Sequence, residues 1–199
     1  VIWESERADA FYLLLSGQVK LFKSSLEGKE QTLYVFGPGE PFCLCARLVC
    51  EQFPASAAAL EKSRILILPA SLLDDLARRE PSILFNMLAV VSRRLMESMR
   101  LIESLSLKEI PERVASFLLH TLRSQDEKLA ASGQIPEHRS PTVELFTTQR
   151  ELAKMLGATP EALSRALKRM ASQGLIQVEA GGRSVALLDL HGLAELAGE

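Results

Sequence analysis

Thr147-Thr148-Gln149-Arg150-Glu151-Leu152-Ala153-Lys154-Met155-Leu156-Gly157-Ala158-Thr159-Pro160-Glu161-Ala162-Leu163-Ser164-Arg165-Ala166-Leu167-Lys168-Arg169-Met170 is the stretch whose reading decides the fold. It reads as helix, tight turn, helix. Thr148 followed by Glu151 is a capping box that starts the first helix. Leu152, Met155 and Leu156 then recur at helical spacing. Gly157 falls where a helix ends and a left-handed residue is needed. Thr159 is placed to cap the second helix, and Pro160 suits its first position because its missing N–H would have no intrahelical partner anyway. At about 100° per residue, Leu163, Ala166, Leu167 and Met170 gather on one side. Glu161, Ser164, Arg165 and Lys168 gather on the other, on the first two turns, the part of a recognition helix that enters a major groove.

The chemistry of that polar set fits DNA. Arg165 can donate two hydrogen bonds to guanine O6 and N7, and Glu161 can accept from cytosine N4. Ser164 suits a base or a phosphate. Thr148, Arg150, Lys168 and Arg169 suit phosphates, which position a protein without reading sequence. The competing reading is an ordinary amphipathic surface helix in which Glu161 and Arg165 are an i,i+4 ion pair. The next segment favours DNA. Gly174 breaks the helix, and Ile176 to Ala180 and Arg183 to Leu188 read as strands joined by Gly181-Gly182. A hairpin directly after a helix-turn-helix is a wing, and it puts Arg183 at the tip, within reach of a phosphate. From Thr147 to Ser184 there are six Lys/Arg against three Asp/Glu, and phosphate contact needs local rather than global positive charge.

The whole chain sets wider bounds. Its 199 residues suffice for one large or two small domains, and 47% hydrophobic content favours packed cores. A net charge of −2 argues against a wholesale polyanion binder. No apolar run reaches the roughly 18 residues of a membrane span, and no signal peptide is visible. Because the chain begins with Val, a preceding segment is expected. Three Cys, an odd number close together, do not form a disulfide scaffold. The expected compartment is the cytoplasm.

The first ~70 residues read as β structure. Phe11–Leu15 and Val19–Phe22 are short apolar runs separated by Ser16-Gly17. Gln31–Phe36 follows the Glu27-Gly28-Lys29 turn, and Ile65–Leu68 precedes Pro69. Short strands with frequent glycine turns predict a sandwich or barrel. Ser71–Arg79 reads as a short helix. Pro81 then opens a long one running to about Leu107. Along it Leu84, Leu88, Val91, Leu95, Ser98, Ile102 and Leu105 follow a 4-3-4-3-4-3 spacing, a coiled-coil seam with one polar position. The alternative is a helix packed on its own domain. As a homodimer seam it would set two recognition helices about 34 Å apart, matching successive major grooves and a palindromic operator in double-stranded DNA. Glu109 to Arg113 starts another helix, running through Val114, Phe117, Leu118 and Thr121. Ser124–Thr142 is polar, contains Gly133, Pro136 and Pro141, and reads as an exposed loop. The expected organisation is a β-barrel sensor over 1–80, a dimerisation helix over 81–107 and a winged helix-turn-helix over 108–199.

At this point the chain resembles the bacterial CRP/FNR family of transcription regulators, over essentially its whole length. The carriers are Phe11-Tyr12-Leu13-Leu14-Leu15-Ser16-Gly17-Gln18-Val19, Gly28-Lys29-Glu30, Gly37-Pro38-Gly39-Glu40, the long helix, Pro111-Glu112-Arg113-Val114-Ala115 and the Glu161–Arg165 helix. The resemblance implies an α+β fold: a jelly-roll barrel like cyclic-nucleotide-binding domains, a dimerisation helix and a C-terminal winged helix. It carries base reading onto Glu161, Ser164 and Arg165, a pattern similar to the FNR-type reader of TTGAT-like half-sites. Pro160 departs from the cyclic-AMP-receptor pattern, which has an arginine there. It also implies contact with RNA polymerase if the protein is an activator.

The sensor half departs further. Where the cyclic-AMP branch needs Gly-Glu for the ribose and Arg-Ser for the phosphate, this chain has Cys43-Leu44 and Pro54-Ala55. Arg47 is the nearest alternative cation. Cyclic AMP is therefore not the expected effector. Cys43, Cys45 and Cys50 are candidate thiolate ligands for iron–sulfur, zinc or haem, or a redox switch, against the plain reading of small buried apolar residues. Phe53-Pro54-Ala55-Ser56-Ala57 with Leu60-Glu61 is similar to the nitrogen-oxide-responsive branches, which implies haem as a candidate cofactor. His120, His138 and His191 all lie outside the sensor half. An alternative function is a β-barrel ligand-binding module whose winged helix contacts protein instead of DNA. No nucleophile–base pair, phosphate loop or histidine-based metal motif points to an enzyme.

Overall fold

The computed structural model describes residues 2–44, 51–131, 141–145, 147–179 and 184–198, apart from the side chains of residues 128, 129 and 131. The chain divides into two compact units, Val1–Arg100 and Leu101–Glu199.

The first unit is built on strands β1 (Ala10–Ser16), β2 (Val19–Ser24), β3 (Glu30–Phe36), β4 (Pro41–Phe42), β5 (Ser56–Ala59) and β6 (Arg64–Pro69). They form two antiparallel three-stranded sheets, ordered β4-β1-β6 and β3-β2-β5. Between the sheets lie Leu14, Val19, Phe36, Phe42, Phe53 and Ala57, all buried. Aromatic rings fill much of that space. Tyr12 stacks on Phe42 with centroids 5.2 Å apart, and Phe36 lies 5.4 Å from Phe42. The β1–β2 turn depends on one glycine. Gly17 has φ +87°, and a Cβ there would lie 2.3 Å from Ser63 Oγ and 2.7 Å from the Lys62 carbonyl oxygen.

Helix α1 (Ala70–Arg79) follows, then the 26-residue helix α2 (Ser82–Leu107). α2 carries two lines at the same 4-3-4-3-4-3 spacing. The expected seam is largely exposed: Leu84 54%, Leu88 61%, Leu95 62% and Ile102 64%. Its last member, Leu105, is instead half-buried. A second line, Ile83, Met87, Val90, Arg94, Glu97, Leu101 and Ser104, is half-buried throughout. Met87 and Val90 pack on Phe11, Leu44 and Ala70. Arg94 donates to the Pro41 carbonyl and lays its guanidinium over Phe36, 4.9 Å from the ring centroid. The two readings of this helix are therefore not exclusive: Met87, Val90 and Arg94 pack on the first unit, while Leu84, Leu88, Leu95 and Ile102 are bare.

In the second unit, α3 (Ile110–Ala131) starts where the Glu112 carboxylate accepts from the Glu109 N–H at 2.8 Å. It runs well past Thr121. The polar loop expected over Ser124–Thr142 is corrected in part. Gln125, Asp126 and Glu127 continue the helix, and Thr142–Glu144 forms strand β7. Straight-chain polar residues lose little rotamer freedom in a helix, so polarity alone did not mark a loop. Helices α4 (Gln149–Met155) and α5 (Pro160–Ser172) follow, then strands β8 (Ile176–Val178) and β9 (Ser184–Leu187). The three strands form one antiparallel sheet, ordered β7-β9-β8. Both wing strands are shorter than expected, and the Gly181-Gly182 connection lies outside the described residues. Asp189 caps a final helix, α6 (Leu190–Ala197), accepting from the Gly192 N–H at 2.9 Å. Leu118, Leu152, Leu163, Met170, Ile176 and Leu193 form the centre of this unit's core.

Gly17→Ala should destabilise the first unit by about 1–3 kcal/mol, since it adds left-handed strain to a backbone clash. An unchanged urea midpoint would contradict that account of the turn.

Candidate nucleic-acid interface

The local chemistry of α4 and α5 matches the sequence reading closely. Thr148 Oγ1 accepts from the Glu151 N–H at 3.3 Å, and the Glu151 carboxylate also takes Lys154 Nζ at 3.1 Å. Gly157 has φ +62°, just after the α4 cap at Leu156. Thr159 Oγ1 accepts from the Ala162 N–H at 3.2 Å, with Pro160 at the first turn. These caps satisfy N–H groups that a helix start leaves open.

Packing then sets the roll of α5. Leu163, Ala166, Leu167 and Met170 are all buried in the second unit's core. The opposite face must therefore point to solvent. Glu161, Arg165, Lys168 and Arg169 are exposed there, and Ser164 is half-buried between them. Thr148 and Arg150, at the start of α4, are exposed as well. Glu161's carboxyl is held below the usual carboxylate range, mainly by its own backbone N–H, then by the Thr159 side chain, with a smaller attraction from Arg165. Glu161 is thus ionised at neutral pH and acts as an acceptor.

Beside this face is an open cleft of about 480 Å³, between α5 and the first wing strand. Ser164 and Lys168 form one side and Gln177 the other, with Gln149 at the rim and Leu167, Ile176 and Val178 as apolar lining. The sequence reading missed Gln149 and Gln177. Their amides can each donate and accept, but their places beside Lys168 depend on how α4 packs on α5 and how the wing strand folds back, which no local pattern shows. On the wing itself, Val178 pairs with Val185, and the Glu179 N–H donates to the Ser184 carbonyl at 3.0 Å. Arg183 lies outside the described residues.

The sensor half brings fewer of its expected residues together. Cys43 is buried in the β core with φ +61°. Cys45, Cys50 and Arg47 lie outside the described residues. Leu44, Ala55 and Ala57 are buried, and Pro54 is exposed. Nearby, Glu40 accepts from Tyr34 Oη at 3.3 Å and from the Gly37 N–H at 2.8 Å. Burial and the neighbouring Glu40 carboxylate push the Tyr34 hydroxyl well above the usual phenol range. Among the described residues, no helix is long and apolar enough to cross a membrane.

Comparison with known proteins agrees with both halves. Residues 1–80 match the cyclic nucleotide-binding domain, and residues 112–196 match the Crp-like helix-turn-helix domain. The chain is 34% identical over 192 residues to the cyclic AMP receptor protein of Thermus thermophilus, spanning 95% of this chain and 82% of that protein. It is 31% identical over 190 residues to the anaerobic regulatory protein of Haemophilus influenzae, spanning 96% and 70%. The solved structure of FixK2 from Bradyrhizobium japonicum superposes with a TM-score of 0.79 at 26% identity, covering 98% of this chain and 91% of that one. A β sandwich joined by a long helix to a winged helix-turn-helix, with relatives of this kind along its whole length, places the chain in the CRP/FNR family of DNA-binding transcription regulators.

Proposed function

We propose that the chain binds a palindromic operator in double-stranded DNA as a homodimer, with Glu161, Ser164 and Arg165 reading bases in each half-site. The observation that carries this reading is the polar face of α5. It is fixed outward by the buried Leu163, Leu167 and Met170, and it joins an ionised acceptor to an exposed guanidinium on the first two turns. Arg165 pairs with a guanine and Glu161 accepts from a cytosine amine, which suits a TTGAT-like half-site. Thr148, Arg150, Lys168, Arg169 and Arg183 contact phosphates. Pro160 has no donor to offer a base, which removes one guanine contact from the code.

The dimer uses the bare line of α2. Leu84, Leu88, Val91, Leu95 and Ile102 are exposed on the single chain at the spacing of a two-stranded coiled coil. Leu105, half-buried on the single chain, closes the seam. Ser98 supplies the one polar layer.

The signal is a small molecule or a redox or nitrogen-oxide species, not a cyclic nucleotide. The residues do not fit a nucleotide: Leu44 packs with Phe11 and Ala70, and Cys43 packs in the barrel core. Neither they nor Pro54 and Ala55 offer a carboxylate or guanidinium for a ribose or a phosphate. For haem, the described residues of the first unit hold one cysteine, the buried Cys43, and no histidine, so an axial ligand from them would have to be a cysteine, a methionine or a tyrosine. The setting is the cytoplasm, with no membrane role, and RNA polymerase is the further partner if the protein activates.

Arg165→Ala should cost about 1–3 kcal/mol on the natural operator and relax preference at one guanine. Lys168→Ala should weaken binding to all sequences alike and reduce the salt slope by about 1. Fluorescence anisotropy over a salt series measures both, and unchanged affinity and specificity for Arg165→Ala would remove its role. Leu95→Lys, at an exposed site, should leave the fold intact, halve the mass in sedimentation equilibrium and weaken operator binding. An unchanged mass would refute the seam. Millimolar cyclic AMP should shift neither the melting temperature nor the operator affinity, and a saturable change in either would reverse the reading of the sensor.

A further inference from the structure

Three helix C-termini meet around two cations in the second unit. An α-helix leaves its last carbonyls without N–H partners and concentrates partial negative charge there. At the end of α2, Arg113 Nη2 donates to the Leu105 carbonyl at 3.0 Å and Nε to the Lys108 carbonyl at 2.8 Å. The same guanidinium reaches the end of α4, where Nη1 donates to the Leu156 carbonyl at 3.0 Å. Lys108 Nζ donates to the Ala197 carbonyl, at the end of α6, and to Ser116 Oγ, both at 2.7 Å. A guanidinium can do this because its donors are planar and fixed in a fork, so that one side chain holds three acceptors from two helices.

The position of these bonds gives them a role. Leu156 directly precedes Gly157, the turn into α5. Leu105 belongs to the last turn of the helix whose bare line forms the proposed dimer seam. The connection between α2 and α3 is short, with Lys108 and Glu109 alone between Leu107 and Ile110. Arg113 and Lys108 brace it from both sides.

We propose that Arg113 is a positioning residue that makes the α2–α3 connection a rigid elbow, fixing the reading helix to the end of the dimer helix and thereby setting the distance between the two reading heads. This rests on the homodimer reading. Arg113 touches no base. It acts through the Leu105, Lys108 and Leu156 carbonyls, and a dimer that lacks it keeps two competent heads in a loose spacing.

The test uses the full chain carrying Arg113→Gln or Arg113→Lys and three duplexes: the palindrome, a single half-site, and palindromes with the spacer changed by one base pair. A rigid elbow predicts that Arg113→Gln loses at least about tenfold on the palindrome, since two-headed binding gains from fixed geometry. Half-site affinity should stay within about twofold, and the penalty for altered spacing should shrink. Arg113→Lys, which keeps the charge but not the fork, should fall between. Equal losses on palindrome and half-site would mean that Arg113 serves only the local fold of the reader, and no loss on either would remove it altogether. Both outcomes overturn the proposal. If Arg113→Gln melts below the assay temperature, Arg113→Lys decides by the same ratio. A wild-type chain that binds palindrome and half-site equally well would instead refute the dimer reading, before any variant is made.

Discussion

The burial of Leu163, Ala166, Leu167 and Met170 is the constraint on which the reading face depends. A buried leucine or methionine gains about 1.5–3 kcal/mol over an exposed one, so the apolar face of α5 cannot turn outward without taking four buried side chains out of the unit's core. That fixes the roll of the helix. Once the roll is fixed, the outward direction of Glu161, Arg165 and Lys168 follows from the helical repeat alone. On the proposed reading, specificity is thus a by-product of packing. The side chains proposed to read DNA are held in place by side chains buried in the core.

Local signals in the sequence were legible because their physics is local. The Thr148 and Thr159 caps, the left-handed Gly157 and the early Pro160 each involve neighbours within four residues, and the structure shows each in the expected place. Strands with β-branched or aromatic runs, such as Val19–Ser24 and Glu30–Phe36, were legible for the same reason. Ser56–Ala59 was not. Three alanines and a serine have no intrinsic strand preference, and they pair with β2 only because the barrel brings them there. Pro41–Phe42 is too short to announce itself, and α6 begins after a strand with a single capping Asp.

The functional surface divides along the same line. The residues on α5 could be read from periodicity, whereas Gln149 reaches the cleft through the packing of α4 on α5, and Gln177 through the return of the wing. On α2 the apolar seam stood out and the second line did not, because Arg94 and Glu97 interrupt its hydrophobicity. Arg94 still packs. Its guanidinium lies over Phe36 and Tyr34, the use of an arginine face that cation–π attraction favours. Residues that look solvent-bound in sequence can thus be the ones that hold a helix to its own unit. The Arg113 fork is of the same kind, since its three acceptors are backbone atoms that carry no trace in the sequence.

The bare line of α2 has a consequence for how much of the regulator is folded at all. A single chain presents Leu84, Phe85, Leu88, Leu95, Met96, Met99 and Ile102 to water on one helix, a continuous apolar stripe that an isolated soluble protein rarely keeps. On the proposed dimer that stripe is covered only when two chains meet, so its contribution to stability grows with protein concentration. Newly made chains at low copy number would then be the most exposed to proteolysis, and each chain that finds a partner is protected along with it. On that reading the survival of each chain would rise with the amount of regulator in the cell.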